Sequence, residues 1–453
     1  MQKQHVIERE RKTPVAESVD VLVAGAGVAG IAAAIAAARN GAKTLLVESQ
    51  GFVGGTATCV PMNWFGAYVA GLHKGIMKEF LDELERRDAI LERFFNPVTN
   101  GWLIGFSVDQ FKMMAVRMLE KAGAKLLLHT WIADAIVKDG ALKGIIVENK
   151  SGRQAILAKT VIDATGDGDV AARAGCAYEI GRKSDGQTQG MTLVGPIVEG
   201  VDTRKLWNFM RHYRKEHPKE ILEFITDKLP FFVASGFKGM MEKARGRGDL
   251  HLDYDTIWLN GRLGTDRAEI GGSFVAGRSG VNAQDLTYAE TESLKQLESL
   301  VSFAKKYIPG FEKGKMMDRR GWTSIGVRET RRIMGDYLLT EEDVMQAKQF
   351  PDVIARNLAP IDIHSPEGQV FKSLKKAYDI PYRCLVPKDR ENILVAGRCI
   401  SVTHEALAST RYMPCCIATG EAAGIAAALA VRGKVTLRRV NVGRVQRILK
   451  MNK

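Results

Sequence analysis

Residues 20–49 read DVLVAGAGVAGIAAAIAAARNGAKTLLVES, and the fold turns on how this stretch is read. DVLVA at 20–24 has the apolar run of a short buried strand. Gly25, Gly27 and Gly30 follow in G-x-G-x-x-G spacing and lead into a helix expected over 28–40, with Gly41 as its stop. A second strand, KTLLVE at 43–48, ends on Glu48.

Strand, glycine loop, helix and strand in that order make a βαβ unit in which each glycine has work to do. The first permits a tight turn, the second lets backbone approach a pyrophosphate, and the third lets helix and strand pack closely. The helix N-terminus turns unsatisfied N–H groups toward negative charge. Glu48 stands 18 residues beyond Gly30, where a carboxylate accepts hydrogen bonds from a ribose and repels a 2′-phosphate. A dinucleotide site is the expectation.

Three further stretches favour a flavin over a nicotinamide. SQGFVGGTATC (49–59) supplies Gly51, Gly54, Gly55 and Thr56, a loop where backbone can pass close to a large ligand. AKTVIDATGDGDVAARAG (158–175) ends a strand and turns back at Ala164, Thr165, Gly166 and Asp167. Before it, residues 124–159 alternate like a β-meander, with turns at Asp139-Gly140 and Ser151-Gly152. Far downstream, a strand at 393–396 gives way to Gly397-Arg398, and a small-residue helix starts near Pro414. Its free N–H groups suit charge developing on a reduced flavin ring.

With these stretches the chain resembles the FAD-dependent oxidoreductases of the glutathione-reductase-like superfamily, related to fumarate reductase and succinate dehydrogenase flavoproteins. The shared features are the GGTAT loop, the ATGDGD turn, the VRETRRI segment and the AGRCIS…H…R…GEAAG ending, from about Asp20 to Ala430. The resemblance implies noncovalent FAD, its phosphates on Gly25, Ala26, Gly27, Val28, Ala29 and Gly30. It implies ribose contacts at Glu48 and Ser49, and contacts from Gly55, Thr56 and Ala57. Adenine would lie near Trp131 and Ile132, with Ala164, Thr165 and Gly166 close by. Gly397, Arg398, Met413, Cys415 and Cys416 would face the pyrophosphate and the flavin.

The expected fold class is α/β: a Rossmann-type FAD-binding domain, with a parallel sheet and β-meander, carrying an inserted α+β substrate domain. The FAD domain is expected over 15–185 and 386–435 and the substrate domain over 186–385. An N-terminal arm (1–14) and a C-terminal tail (436–453) flank them. Within the insert, residues 203–229 read as amphipathic helix and 285–308 as a long helix stopped by Pro309-Gly310, while Thr340 and Asp343 form a capping box. No second G-x-G-x-x-G follows a strand and no CxxC pair is present, which disfavours an NAD(P)H domain and a disulfide reductase. The G-D-A-x-H pattern of aromatic hydroxylases is also missing.

Electrons are therefore expected to pass between FAD and a small organic substrate, anionic in view of Arg328, Arg331 and Arg411, by hydride transfer at flavin N5. His404 is the candidate to take a hydroxyl proton, since imidazole titrates near neutrality. The eight histidines show no metal-ligand spacing, so no metal is expected.

The chain has 453 residues, 45% hydrophobic and 26% charged, enough for two connected domains. A formal charge of +13 is spread along it in short runs, which reads as a solvated basic surface and not a nucleic-acid interface. Six unpaired-looking cysteines, a polar N-terminus and apolar stretches too short to span a bilayer point to a cytoplasmic protein without a membrane segment. The electron donor or acceptor and any oligomer stay open. Two rival functions remain: an FAD-binding RNA-modification protein, or an electron-transfer flavoprotein served by a partner reductase.

Overall fold

Val15–Ala24, whose inner half is fully buried, is a central strand of a seven-stranded sheet. On one side it pairs in parallel with Thr44–Val47, which pairs in parallel with Lys125–Leu127. On the other it runs parallel to Gly152–Asp163. Val21, Leu22 and Val23 face Thr44, Leu45 and Leu46 on one flank and Thr160, Val161 and Ile162 on the other. Residues apolar on both faces suit a strand covered on both sides. The computed structural model describes residues 6, 9–60, 62–96, 99–224, 230–317 and 324–451. Parts of the expected arm and tail, and residues 319–323 ahead of the VRETRRI segment, lie outside the described residues.

The β-meander is Trp131–Lys138, Ala141–Asn149 and Gly152–Asp163, antiparallel in sequence order. Its first turn places Asp139 at φ 51° and Gly140 at φ 73°, the left-handed pair that a two-residue hairpin requires. The third strand is long enough to leave the meander and enter the parallel sheet. Its end pairs with Ile393–Val395, so the C-terminal return docks beside the ATGDGD turn.

Two helices with almost no large side chains cover this sheet: Val28–Arg39 and Met413–Gly433. A Cβ on Gly420 would stand 2.1 Å from Ala29 O, and one on Gly424 would stand 2.2 Å from Ala33 O. The backbones touch there because both sequences withhold side chains. Met413–Gly433 is long and apolar enough to cross a bilayer, which corrects the expectation that every apolar stretch is too short. Its most apolar window is 83% buried inside the protein, so core packing accounts for that composition.

The inserted domain has its own six-stranded antiparallel sheet, ordered Ile221–Phe224, Phe231–Gly236, Ile257–Arg262, Arg267–Gly271, Ile197–Glu199 and Lys315–Met316. Trp207, Phe232, Phe237, Leu259, Phe303 and Phe311 build its core. The helix expected over 203–229 stops at Glu216, and Ile221–Phe224 is a strand. Pro218 explains the break, because the residue before proline is pushed out of helical conformation. Ala283–Tyr307 is the long helix, capped by Asn282, and the Thr340–Asp343 capping box is present.

Residues 333–385, expected with the insert, contribute Ile333, Leu339, Tyr378, Ile380 and Tyr382 to the same core as Val21 and Leu394. The boundary drawn at 385 therefore does not coincide with the division between the two cores. Short strands joined by loops carry no period that says which of two neighbouring cores they will join.

Candidate functional site

The glycine loop is built as its spacing implies. Gly25 has φ 89°, and a Cβ there would lie 2.7 Å from Ala164 O, so the ATGDGD turn rests directly on it. A Cβ on Gly30 would lie 1.8 Å from Gly25 O. Around Gly27 no atom comes within 4 Å of a Cβ position, which leaves the second glycine facing open space. The GGTAT loop closes in from the other side: Gly54 N donates to Ala26 O at 2.7 Å, and Gly27 and Gly54 form a parallel bridge. Thr56 and Ala57 then open the short helix Thr56–Cys59.

Glu48 is held at the end of its strand. Its Oε2 accepts from Ala26 N at 2.7 Å, and its Oε1 accepts from Gln50 N and Ser49 Oγ, each at 2.9 Å. Thr130 N donates to Glu48 O, which sets Trp131 close to Glu48. Trp131 is 65% exposed and Ile132 partly so, as a ring available for stacking would be. The C-terminal segment arrives at the same place: Gly397 N donates to Thr419 Oγ1 at 3.1 Å, and a Cβ on Gly397 would meet Ala29 Cβ at 2.9 Å.

Asp163, which the motif reading passed over, organises the turn. It is fully buried and accepts from Thr165 N, Thr165 Oγ1 and Ala171 N. Burial raises its pKa, and those three bonds oppose the shift. Asp167 accepts from Arg398 Nη2 at 2.7 Å and from Thr330 Oγ1 at 2.9 Å. Arg331 donates to Asp169 Oδ1 at 3.0 Å and to Asp167 O at 3.1 Å. Arg331 and Arg398 thus brace the turn.

Burial also governs the cysteines. It pushes the Cys416 thiol to about 12, Cys415 well above its ordinary value, and Cys59, which also feels Glu48, to about 11. The helix N-terminus does not overcome this. At pH 8 iodoacetamide is expected to leave Cys399 and Cys415 unmodified in the native protein, by intact-mass analysis, and to reach all six cysteines after denaturation. Rapid native labelling of Cys415 would contradict this account.

Two separate polar clusters lie where the domains meet. In the first, Glu329 is 1% exposed and pairs with the buried Arg332, while His404 Nδ1 lies 2.8 Å from Glu329 Oε2. That last contact is off the direction of a ring N–H and is not a hydrogen bond. Arg332 also donates to Val402 O and Gly181 O, and Gln189 N donates to Glu329. His404 and the VRETRRI segment are thereby fastened together.

The second cluster joins Arg328 and Arg411. Arg328 Nη1 donates to Gly190 O at 2.8 Å and Thr192 Oγ1 at 2.6 Å. Arg411 Nη2 donates to Asp362 O at 2.8 Å and lies 3.4 Å from Asp362 Oδ2. Burial, and then the charge of Arg411, lower the Arg328 guanidinium to about 10. His364 and Tyr254 complete the group, and neither was marked in the sequence. A legible signal existed for one pair: Asp362 and His364 are two residues apart on the strand Ile361–Ser365 and share a face. A groove of about 530 Å³, lined by Val116, Leu119 and Ile156 together with Glu17, Glu120 and Lys125, includes no residue of either cluster or of the glycine loop.

These features suit the expected FAD. The open face of Gly27 has the room a pyrophosphate needs, Glu48 stands where a ribose is expected, and several buried polar atoms lack protein partners among the described residues. Among them are both amide atoms of Gln189, Ser401 Oγ, Thr410 Oγ1, Arg411 Nε, Arg331 Nε and His404 Nδ1. A large polar ligand would satisfy them.

A family model described as FAD dependent oxidoreductase matches residues 20–449. Thiamine thiazole synthase of Thermococcus kodakarensis is 29% identical over 161 residues, 33% of this chain and 58% of that protein. Digeranylgeranylglycerophospholipid reductase of Methanocella arvoryzae is 26% identical over 254 residues, 47% of this chain and 62% of that protein. The chain spans less than two thirds of the length of either relative. Among solved structures, a geranylgeranyl bacteriochlorophyll reductase-like protein of Thermoplasma acidophilum aligns with a TM-score of 0.49 at 16% identity, over 96% of this chain and 84% of that one.

Proposed function

The chain belongs to the FAD dependent oxidoreductase family, and from that premise we propose that its substrate is a small organic anion held by Arg328 and Arg411. It is an oxidoreductase with FAD as cofactor. The observation that carries the proposal is the charge balance of the second cluster. One carboxylate, Asp362, stands near both guanidinium groups and is contacted by Arg411, while Arg328 makes its hydrogen bonds to Gly190 O and Thr192 Oγ1. Its depressed pKa is the mark of a buried cation beside a like charge, and a bound anion relieves both burial and repulsion.

Bound FAD supplies the acceptor or donor of a hydride. The chain's own residues do the rest. Arg328 and Arg411 fix the carboxylate, and Asp362 keeps Arg411 in place through its backbone and side-chain oxygens. The Glu329–Arg332–His404 network holds the segment that carries Arg328, so His404 is proposed as a positioning residue.

The test begins with the visible spectrum of the purified protein before and after acid denaturation and ultrafiltration; noncovalent FAD leaves with the filtrate. Anaerobic mixing with a panel of short carboxylic acids, each beside its methyl ester, should bleach the flavin with some acids and with none of the esters. Arg411→Gln should weaken that response at least about tenfold. Equal bleaching by acids and esters would remove the anion from the proposal.

A further inference from the structure

Tyr254 lies in the inserted domain, 3% exposed, with its ring stacked on Phe274 at 4.1 Å and 13°. Its phenol oxygen is 3.0 Å from His364 Nδ1. On the other side of that ring, His364 Nε2 is 3.1 Å from Asp362 Oδ1. Asp362 also receives Gln369 Nε2 at 2.8 Å and Arg411. Three ionisable side chains from two parts of the fold, Tyr254 buried and His364 and Asp362 partly so, thus form one line ending beside the two arginines.

The direction of the hydrogen bonds follows from the charges. Burial alone would raise Asp362, but His364 and Arg411 outweigh it and hold the carboxyl well below the usual range. An ionised Asp362 requires His364 Nε2 to carry hydrogen, so Nδ1 presents its lone pair to Tyr254. Burial, and then the charge of Arg328, lower His364, which favours the neutral ring, and a neutral ring with hydrogen on Nε2 accepts at Nδ1. The phenol O–H therefore donates to Nδ1.

Gly190 fixes how far this line stands from the anion clamp. Its carbonyl accepts from Arg328, its N–H donates to His364 O at 3.0 Å, and a Cβ on it would stand 2.0 Å from the Phe274 ring. One residue thus touches the guanidinium, the imidazole strand and the ring beneath Tyr254. Arg328 and Tyr254 lie close enough to influence each other's charge, so a substrate whose carboxylate meets Arg328 brings a neighbouring hydroxyl towards the phenol.

We propose that the substrate pair is a 2-hydroxy acid and its 2-oxo acid, with Tyr254 exchanging the hydroxyl proton and the His364–Asp362 pair positioning and relaying it. In the oxidising direction the C2–H bond breaks, and FAD, when bound, would take its hydride with the electron pair. The hydroxyl proton moves to the Tyr254 oxygen as the phenol proton moves to His364 Nδ1. The C2–O bond becomes a carbonyl, and the imidazolium is stabilised by Asp362. The carboxylate keeps its charge throughout.

This proposal rests on the anion reading above, and the experiment separates the two. Holoprotein is titrated with 2-hydroxy-2-methylpropanoate, which has no C2 hydrogen and cannot be oxidised, and with 2-methylpropanoate, which lacks the hydroxyl. Binding is read from the flavin difference spectrum. The hydroxy acid should bind at least about tenfold more tightly, because its hydroxyl pairs with a buried polar group that the plain acid leaves bare. Tyr254→Phe should erase that preference while leaving the plain acid within about threefold of wild type, and Arg411→Gln should weaken both acids. If Tyr254→Phe fails to fold by circular dichroism, His364→Gln is read in the same way. Equal binding of the two acids, with both lost in Arg411→Gln, would overturn the hydroxy-acid proposal and leave the anion reading standing. A preference that survives Tyr254→Phe would remove Tyr254. Binding of neither acid to flavin-loaded protein would overturn both readings.

Discussion

Gly27→Ala is expected to give a protein that folds normally yet purifies without its flavin, whereas Gly30→Ala is expected to lose flavin and stability together. The contrast comes from what each added methyl group would meet. At Gly27 the backbone is extended, with φ −67° and ψ 177°, and nothing lies within 4 Å of a Cβ. The only space the methyl group takes is that of the phosphates, so the apoprotein should denature within about 0.5 kcal/mol of wild type while FAD binds at least about tenfold more weakly. At Gly30 the methyl group would stand 1.8 Å from Gly25 O. The loop must then move off the ATGDGD turn, at about 1–3 kcal/mol or more. Flavin content per polypeptide and urea unfolding of the apoproteins measure both effects. A Gly27→Ala protein that retains full flavin would show that the open space is not the phosphate site.

The second large effect is expected from Glu329→Ala. Removing this carboxylate leaves Arg332, whose side chain is 3% exposed, with only the exposed Glu179 at 3.6 Å as an acidic neighbour, and takes away the carboxylate beside His404 Nδ1. Breaking a buried pair from one side costs about 3–5 kcal/mol, since the desolvated cation stays behind. Replacing both members, as Glu329→Ala with Arg332→Met, should recover part of that loss, because no charge is then stranded. Equilibrium urea unfolding of the three proteins tests it. A single variant within about 1 kcal/mol of wild type, or a double variant less stable than the single, would mean that the pair does not carry the junction.

The part of the site that could be read in the chain is the part made by neighbours. Gly25, Gly27 and Gly30 define the loop because turn, backbone approach and helix packing are each settled within a few residues. Asp139 and Gly140 announce the meander turn for the same reason. Even the close contact between Val28–Arg39 and Met413–Gly433 is visible as a lack of side chains, although not which helix meets which. Asp362 and His364 lie at the limit: their shared face is legible, their purpose is not.

What the sequence by itself determined is the α/β architecture, the dinucleotide loop with Glu48, the meander, the ATGDGD turn and the resemblance that names FAD. These rest on steric and hydrogen-bonding choices made locally along the backbone. Only the tertiary structure decided which charged side chains face one another. Tyr254 meets His364 across 110 positions and Arg411 meets Asp362 across 49, while Arg331 goes to the turn and Arg328 to the clamp. The partner of a buried charge is selected by desolvation and by how two cores close on each other. Neither quantity exists until the chain is folded.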